Sequence, residues 1–343
     1  MNLKQSMLIA IALSLLSLIA WEFYWRAQGK IPDIDDNKDL WAVQRAKVKT
    51  LSDDDVILMG SSRVLFDIQL EQWRKETGIR PIQLASAGAS PLPIFHDIVN
   101  NTDFTGTIIV GVTPGLFFST TFPEAGPWKR AQSRVEYFEN RTYAQRFNHF
   151  LSMPLQKNFV FISTSEEGWS DDIDLKSLLN SISLGENRLK EPAFPPFFKF
   201  EYMDEYRNNR MSDKTARDTT FARTVKNVWQ AILEGNDRVP EKEQTTAYFV
   251  EDAKKFKAKG GNLILLRCPS SGMFKDLEAK HLSRDDFWEE LVKATEAKSY
   301  HYADYDQFKN LECPEWSHLS AEDADFFTRE LVKIMKKDNV LNN

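Results

Sequence analysis

Cysteine is scarce in this sequence: 343 residues carry two, Cys268 and Cys313, which excludes a scaffold held by several disulfides. An excess of positive charge is also missing. Lys and Arg (44) are mixed among Asp and Glu (50) for a formal net charge of −6, with no basic blocks, so there is no electrostatic footprint for nucleic acid. There is no Gly-rich phosphate loop, and His96, His149, His281 and His301 lack metal-ligand spacing, so neither a metal nor a cofactor is expected. What remains is a globular composition. Hydrophobic residues at 42% and aromatics at 12% suffice for a packed core, and the length suits one α/β domain with insertions.

One long apolar run stands at the N-terminus. "MLIAIALSLLSLIAW", residues 7 to 21, is uncharged and reads as a signal-peptide core or a membrane anchor. Fifteen helical residues reach only about 22 Å, so spanning requires "EFYW" to continue the helix into an interfacial aromatic belt. The lack of a small-x-small cleavage site favours an uncleaved anchor, with residues 1 to 30 as anchor and linker. "AQGKIPDIDDNKD" reads as polar linker.

Beyond it, strand-like and helix-like segments alternate. Strands are expected at "VILMG" (56 to 60), "PIQLAS" (81 to 86), "GTIIVGV" (106 to 112), "NLILLR" (262 to 267) and "YHYADY" (300 to 305). Helices are expected at 68 to 78, 92 to 101, 246 to 261, 284 to 298 and 320 to 337, the last with Ser320 at its N-cap. The alternation implies an α/β domain over residues 31 to 343: a doubly wound, mostly parallel five-stranded sheet with helices on both faces. Ligands of such sheets bind beyond the carboxyl ends of the strands. That edge receives "GSS" (60 to 62), "SAGAS", "GVTPG" and "RCPSSG".

Each of these also reads as an ordinary strand-to-helix turn. The addition that gives them chemical meaning is "CPEWSHLSAEDA", residues 313 to 324. There His318 lies in a loop with Glu315 three residues before it, a spacing at which a carboxylate can hold the imidazole in one tautomer. A serine nucleophile needs such a base and such an orienting group.

These blocks resemble the SGNH, or GDSL-like, hydrolase superfamily. Its first block, Gly-Asp-Ser, is matched by Gly60-Ser61-Ser62 with serine in place of aspartate, which implies Ser62 as nucleophile. Its second block supplies an oxyanion-hole glycine, matched by Gly88 in "QLASAGASP", and its last block, Asp-x-x-His, is matched by Glu315 to His318. The third block departs: where Gly-x-Asn-Asp is expected, the chain has Gly111-Val112-Thr113-Pro114, so the asparagine donor is missing and Thr113 or the N–H groups of Ser62 and Gly88 must serve. The resemblance spans residues 52 to 118 and 246 to 336. Together with the anchor, the G-S-S form is similar to a branch outside the bacterial cytoplasmic membrane that modifies envelope polysaccharides or lipoteichoic acid, often beside a multi-spanning membrane O-acyltransferase.

The resemblance thus implies a periplasmic, membrane-anchored serine O-acyltransferase acting on an envelope glycan, without cofactor. Two alternatives stay open: a carbohydrate esterase that removes such groups, and a catalytically weak domain that binds polysaccharide or docks on a membrane enzyme. Arg63 and Arg267 are candidates to clamp a substrate oxygen, the alternative for each being a structural ion pair. In an exported domain Cys268 and Cys313 can form a disulfide that pins the histidine loop; as free thiols they are small buried residues. Residues 119 to 245 lie outside the resemblance and read as an inserted, mostly helical cap, with "PAFPPFF" a kinked extended crossing.

Overall fold

A computed structural model describes residues 2–119, 124–162, 195–234 and 240–341. Along the chain run α1 (Leu3–Ala27), α2 (Lys38–Lys47), β1 (Val56–Met59), α3 (Ser62–Asp67), α4 (Leu70–Thr77), β2 (Ile82–Gln83), α5 (Leu92–Asn101) and β3 (Thr107–Gly111). Next come α6 (Pro114–Phe117), α7 (Gly126–Asn140), α8 (Tyr143–Asn158), β4 (Glu201–Met203), β5 (Asn209–Met211), α9 (Asp213–Arg217) and α10 (Thr219–Glu234). The chain continues through α11 (Lys242–Ala258), β6 (Asn262–Arg267), α12 (Gly272–His281), α13 (Glu290–Thr295), β7 (Lys298–His301) and α14 (Ala321–Lys337).

Five strands form one all-parallel sheet in the order β2-β1-β3-β6-β7. The apolar strands are buried on both sides because successive side chains alternate faces. Val56, Leu58, Ile109 and Ile264 join one core with α3, α4, α10, α14 and the β4–β5 hairpin. On the other side, Ile57, Met59, Ile108 and Leu265 pack with α2, α5, α7 and α11.

Two glycines set how closely α3 approaches the sheet. β1 and β3 end side by side at Gly60 and Gly111, and Val64 of α3 fills the space both leave. A Cβ on Gly60 would lie 2.6 Å from Val64 Cγ2, and one on Gly111 would collide with the same methyl. Gly60 also has φ +153°, a conformation that L side chains rarely adopt. The G-S-S turn therefore has a packing reason for its glycine.

Expected and observed elements differ in instructive places. β7 covers 298–301 instead of 300 to 305, because His301 Nδ1 accepts the Ala303 N–H at 3.1 Å and turns residues 302–304 into a 3₁₀ turn. β2 is only two residues long, although the Leu84 and Ser86 N–H groups still donate to Leu58 and Gly60 carbonyls. The segment read as linker is largely embedded: Asp33 pairs with Lys199, the Ile34 N–H donates to the Met203 carbonyl at 3.0 Å, and Asp36 pairs with Arg207 at 2.6 Å.

Within the expected cap, α7 belongs to one core while β4, β5 and α10 belong to the other. Residues 120–123, 163–194 and 235–239 of that region, and with them residues 192–194 of "PAFPPFF", lie outside the described residues. Helix α1 runs on through "EFYW" for 25 residues, about 37 Å. It is the one helix among the described residues long and apolar enough to cross a membrane.

Gly111→Ala should destabilise the fold by about 1–3 kcal/mol through overpacking against Val64. Combined with Val64→Ala, which removes the colliding methyl, the loss should be smaller than the sum of the two single losses. Urea denaturation midpoints measure this; strict additivity would show that Val64 does not set the spacing.

Candidate active site

The loop between β7 and α14 is organised by one buried carboxylate. Glu315 Oε1 accepts the His318 N–H at 2.6 Å, the Ser317 N–H at 3.2 Å and the His318 Nδ1 proton at 2.9 Å, while Oε2 accepts the indole N–H of Trp229 on α10. Glu315 and His318 are both fully buried. Between them Trp316 sits at φ +81°, a left-handed conformation costly for a bulky residue, and it is held there by these bonds and by the Ser271 N–H donating to its carbonyl. Gly272 is required beside it, since any Cβ would strike the Trp316 ring.

Because a carboxylate only accepts, Nδ1 donates the bonded proton, and in the neutral imidazole Nε2 carries the lone pair. Nε2 is buried and has no hydrogen-bond partner among the described residues. The Phe66 ring stacks on the imidazole at 4.1 Å between centroids, with Phe200 and Trp229 at 5.9 and 6.3 Å. Phe66 is four residues after Ser62 on α3, so the two share a helix face one turn apart. Ser62, half-buried at the start of α3, is not hydrogen-bonded to Nε2. In enzymes without substrate such bonds are often long and tighten on binding.

Around Ser62 the other predicted groups gather at the same sheet edge. Ser61 precedes α3 at the N-cap position without capping it through its side chain, because its hydroxyl bonds Thr113 at 2.6 Å, which ties the ends of β1 and β3. Gly88 adopts φ +60°, with Arg130 of α7 filling the place a side chain would take. The backbone N–H groups of Ser62, Gly88 and Thr113 make no hydrogen bond among the described residues. Donors free at a strand edge can bind a developing oxyanion.

Arg63 and Arg267 take the ion-pair alternative: both guanidiniums converge on Glu278 of α12, Arg63 at 2.8 Å, and Arg267 also donates to the Cys268 carbonyl at 3.0 Å. Burial would raise the Glu278 carboxyl, yet Arg267 and Arg63 hold it below the usual range. Cys268 and Cys313 are free thiols, so the disulfide is not formed. Each thiol is turned to its own polar neighbour, Cys268 to Asp67 and Cys313 to Ser271, and burial pushes both up. Among the described residues no three His, Cys, Asp or Glu side chains gather as a metal site.

Sequence reasoning missed Asp67, Trp229, Phe66 and Phe200. Asp67 ends α3, is fully buried, and accepts the Leu319 N–H at 3.0 Å; burial pushes its carboxyl well above the ordinary range. An aspartate inside the apolar run "VLFDIQL" was the available signal. Trp229 is 86 residues from Glu315, and no local pattern announces that contact. No family model matches this chain, and no curated protein matches it significantly.

Near the site, burial pushes the Glu201 carboxyl up to about 7 from 4.5, against the opposing pull of Lys199. The folded protein then binds more protons than the unfolded chain between those values, so stability falls as pH rises from about 4.5 to 7. Glu201→Gln should flatten this slope and gain on the order of 2 kcal/mol over wild type at pH 8. Denaturation at pH 5 and pH 8 reads the difference; an unchanged slope would remove Glu201 as its source.

Proposed function

We propose that this chain is a membrane-anchored SGNH-like serine O-acyltransferase acting on a cell-envelope glycan. The observation that carries the reading is the Glu315 clamp, which engages His318 Nδ1 and leaves Nε2 without a partner among the described residues beside the helix that begins with Ser62. The strand order matches one of the two common doubly wound arrangements, in which ligands sit beyond the carboxyl ends of the strands. This supports assigning the fold to the superfamily.

In the proposed reaction, Nε2 takes the Ser62 hydroxyl proton as Oγ attacks an ester carbonyl. The tetrahedral oxyanion is held by the N–H groups of Ser62 and Gly88, with Thr113 completing the hole. Collapse expels the alcohol, which receives the proton from His318, and leaves an acyl-serine. A glycan hydroxyl deprotonated by the same nitrogen then takes the acyl group and frees the serine. Helix α1 would cross the bacterial cytoplasmic membrane and leave the domain in the periplasm, where a multi-spanning O-acyltransferase is the expected acyl source. Water in place of the glycan gives the esterase alternative.

A docking or polysaccharide-binding role is the second reading. It is favoured by the missing asparagine donor in the third block and by the absence of a Ser62–His318 bond among the described residues.

Incubating the full chain with a fluorophosphonate, followed by mass spectrometry, tests the proposal. Labelling is expected at Ser62, lost in Ser62→Ala and reduced about a hundred-fold or more in His318→Ala. A folded protein that takes no label would favour the docking role.

A further inference from the structure

Helix α8 is built inside out for a helix on a protein surface. Tyr143, Phe147, Phe150, Leu151 and Leu155 point outward with 48% to 89% of their surface exposed. The side turned to the domain carries Gln145, His149, Ser152, Met153 and Gln156, and Gln156 Oε1 accepts the Asp35 N–H at 3.0 Å. A surface helix in water normally presents the reverse pattern, apolar inward and polar outward. The outward residues recur at four, seven, eight and twelve positions from Tyr143, which places them in one stripe along the helix.

The end of α8 meets α1. Glu22 of α1 accepts the N–H groups of Val160 and Phe161 at 2.9 and 3.2 Å, and Arg26 donates to the Asn158 carbonyl at 2.8 Å. These partners close α8 and follow it directly. At the same level α1 exposes Trp21 and Tyr24, side chains suited to the boundary between hydrocarbon and headgroups. Phe159 and Ile162 extend the exposed apolar surface toward that belt. On the flank of the stripe Arg146 is exposed, with its guanidinium over the Tyr143 ring, a position from which it can reach anionic headgroups.

We propose that α8 is an in-plane membrane helix, its apolar face sunk into the bilayer interface from which α1 emerges. The occupant of the exposed stripe is thus the lipid surface. The inference rests on reading α1 as a membrane span. It adds a second attachment, so that the domain is held at two places and cannot swivel freely about α1, which fixes the orientation of the Ser62 edge relative to the bilayer.

The test uses the full chain in vesicles of phosphatidylethanolamine and phosphatidylglycerol. Nitroxide labels are placed at Phe150→Cys, Leu155→Cys, Leu13→Cys in α1 and the exposed Lys254→Cys in α11, with the unsubstituted protein as control for its buried thiols. Collisions with oxygen, which partitions into lipid, are compared with those of a water-soluble nickel chelate. The oxygen-to-nickel ratio at Phe150 and Leu155 should rise above that at Lys254 and approach that at Leu13. Nickel-accessible labels on α8 with a lipid-facing Leu13 would overturn the inference and leave the anchor intact. Low accessibility to both quenchers on α8 would also overturn it, showing a protein surface there. A water-exposed Leu13 would remove the anchor itself, and the inference with it.

Discussion

The carboxylate of Glu315 is the constraint on which the rest of the site depends. Buried without compensation it would cost several kcal/mol, yet its two oxygens receive two backbone N–H groups, an imidazole and an indole. Those four donors belong to two distant parts of the chain. The clamp therefore does three things at once: it holds the left-handed Trp316, selects the tautomer of His318, and draws α10 onto the histidine loop.

Opposite the clamp, α3 is held at both ends, by the sheet at one and by the histidine loop at the other. Ser62 begins it at the sheet edge, where Gly60 and Gly111 let Val64 seat the helix against β1 and β3. Asp67 ends it and accepts the Leu319 N–H, one residue beyond the histidine, while Phe66 lies flat on the imidazole. A short helix pinned in this way leaves His318 and Ser62 little freedom to drift apart. Rigid support of this kind is what a positioned acid–base pair requires.

Local patterns were legible in the sequence and long-range ones were not. α5 occupies 92–101 as its periodicity indicates, and Ser320 caps α14 by accepting the Asp323 N–H at 3.1 Å. β1, β3 and β6 follow from short apolar runs that end in small or polar residues. The Glu315 to His318 spacing also sufficed to foresee the bond between them, since three residues of one turn bring the side chains together. Trp229 and Phe200 were illegible because their meaning lies in contacts with loops about a hundred residues away. The stop of β7 at His301 depends on a side chain capping its own turn, which strand propensity does not register. In α8 the spacing reads as a helix, whereas the side facing the domain is decided by tertiary packing.

The measurement closest to the central claim is nitrogen NMR of the imidazoles, practicable in a chain with five histidines. His318, assigned by loss of its signals in His318→Ala, should carry its proton on Nδ1 in the neutral imidazole. Glu315→Gln should abolish the downfield Nδ1 proton. A neutral imidazole with its proton on Nε2 instead of Nδ1 would contradict the account, because His318 would then have no lone pair to offer Ser62.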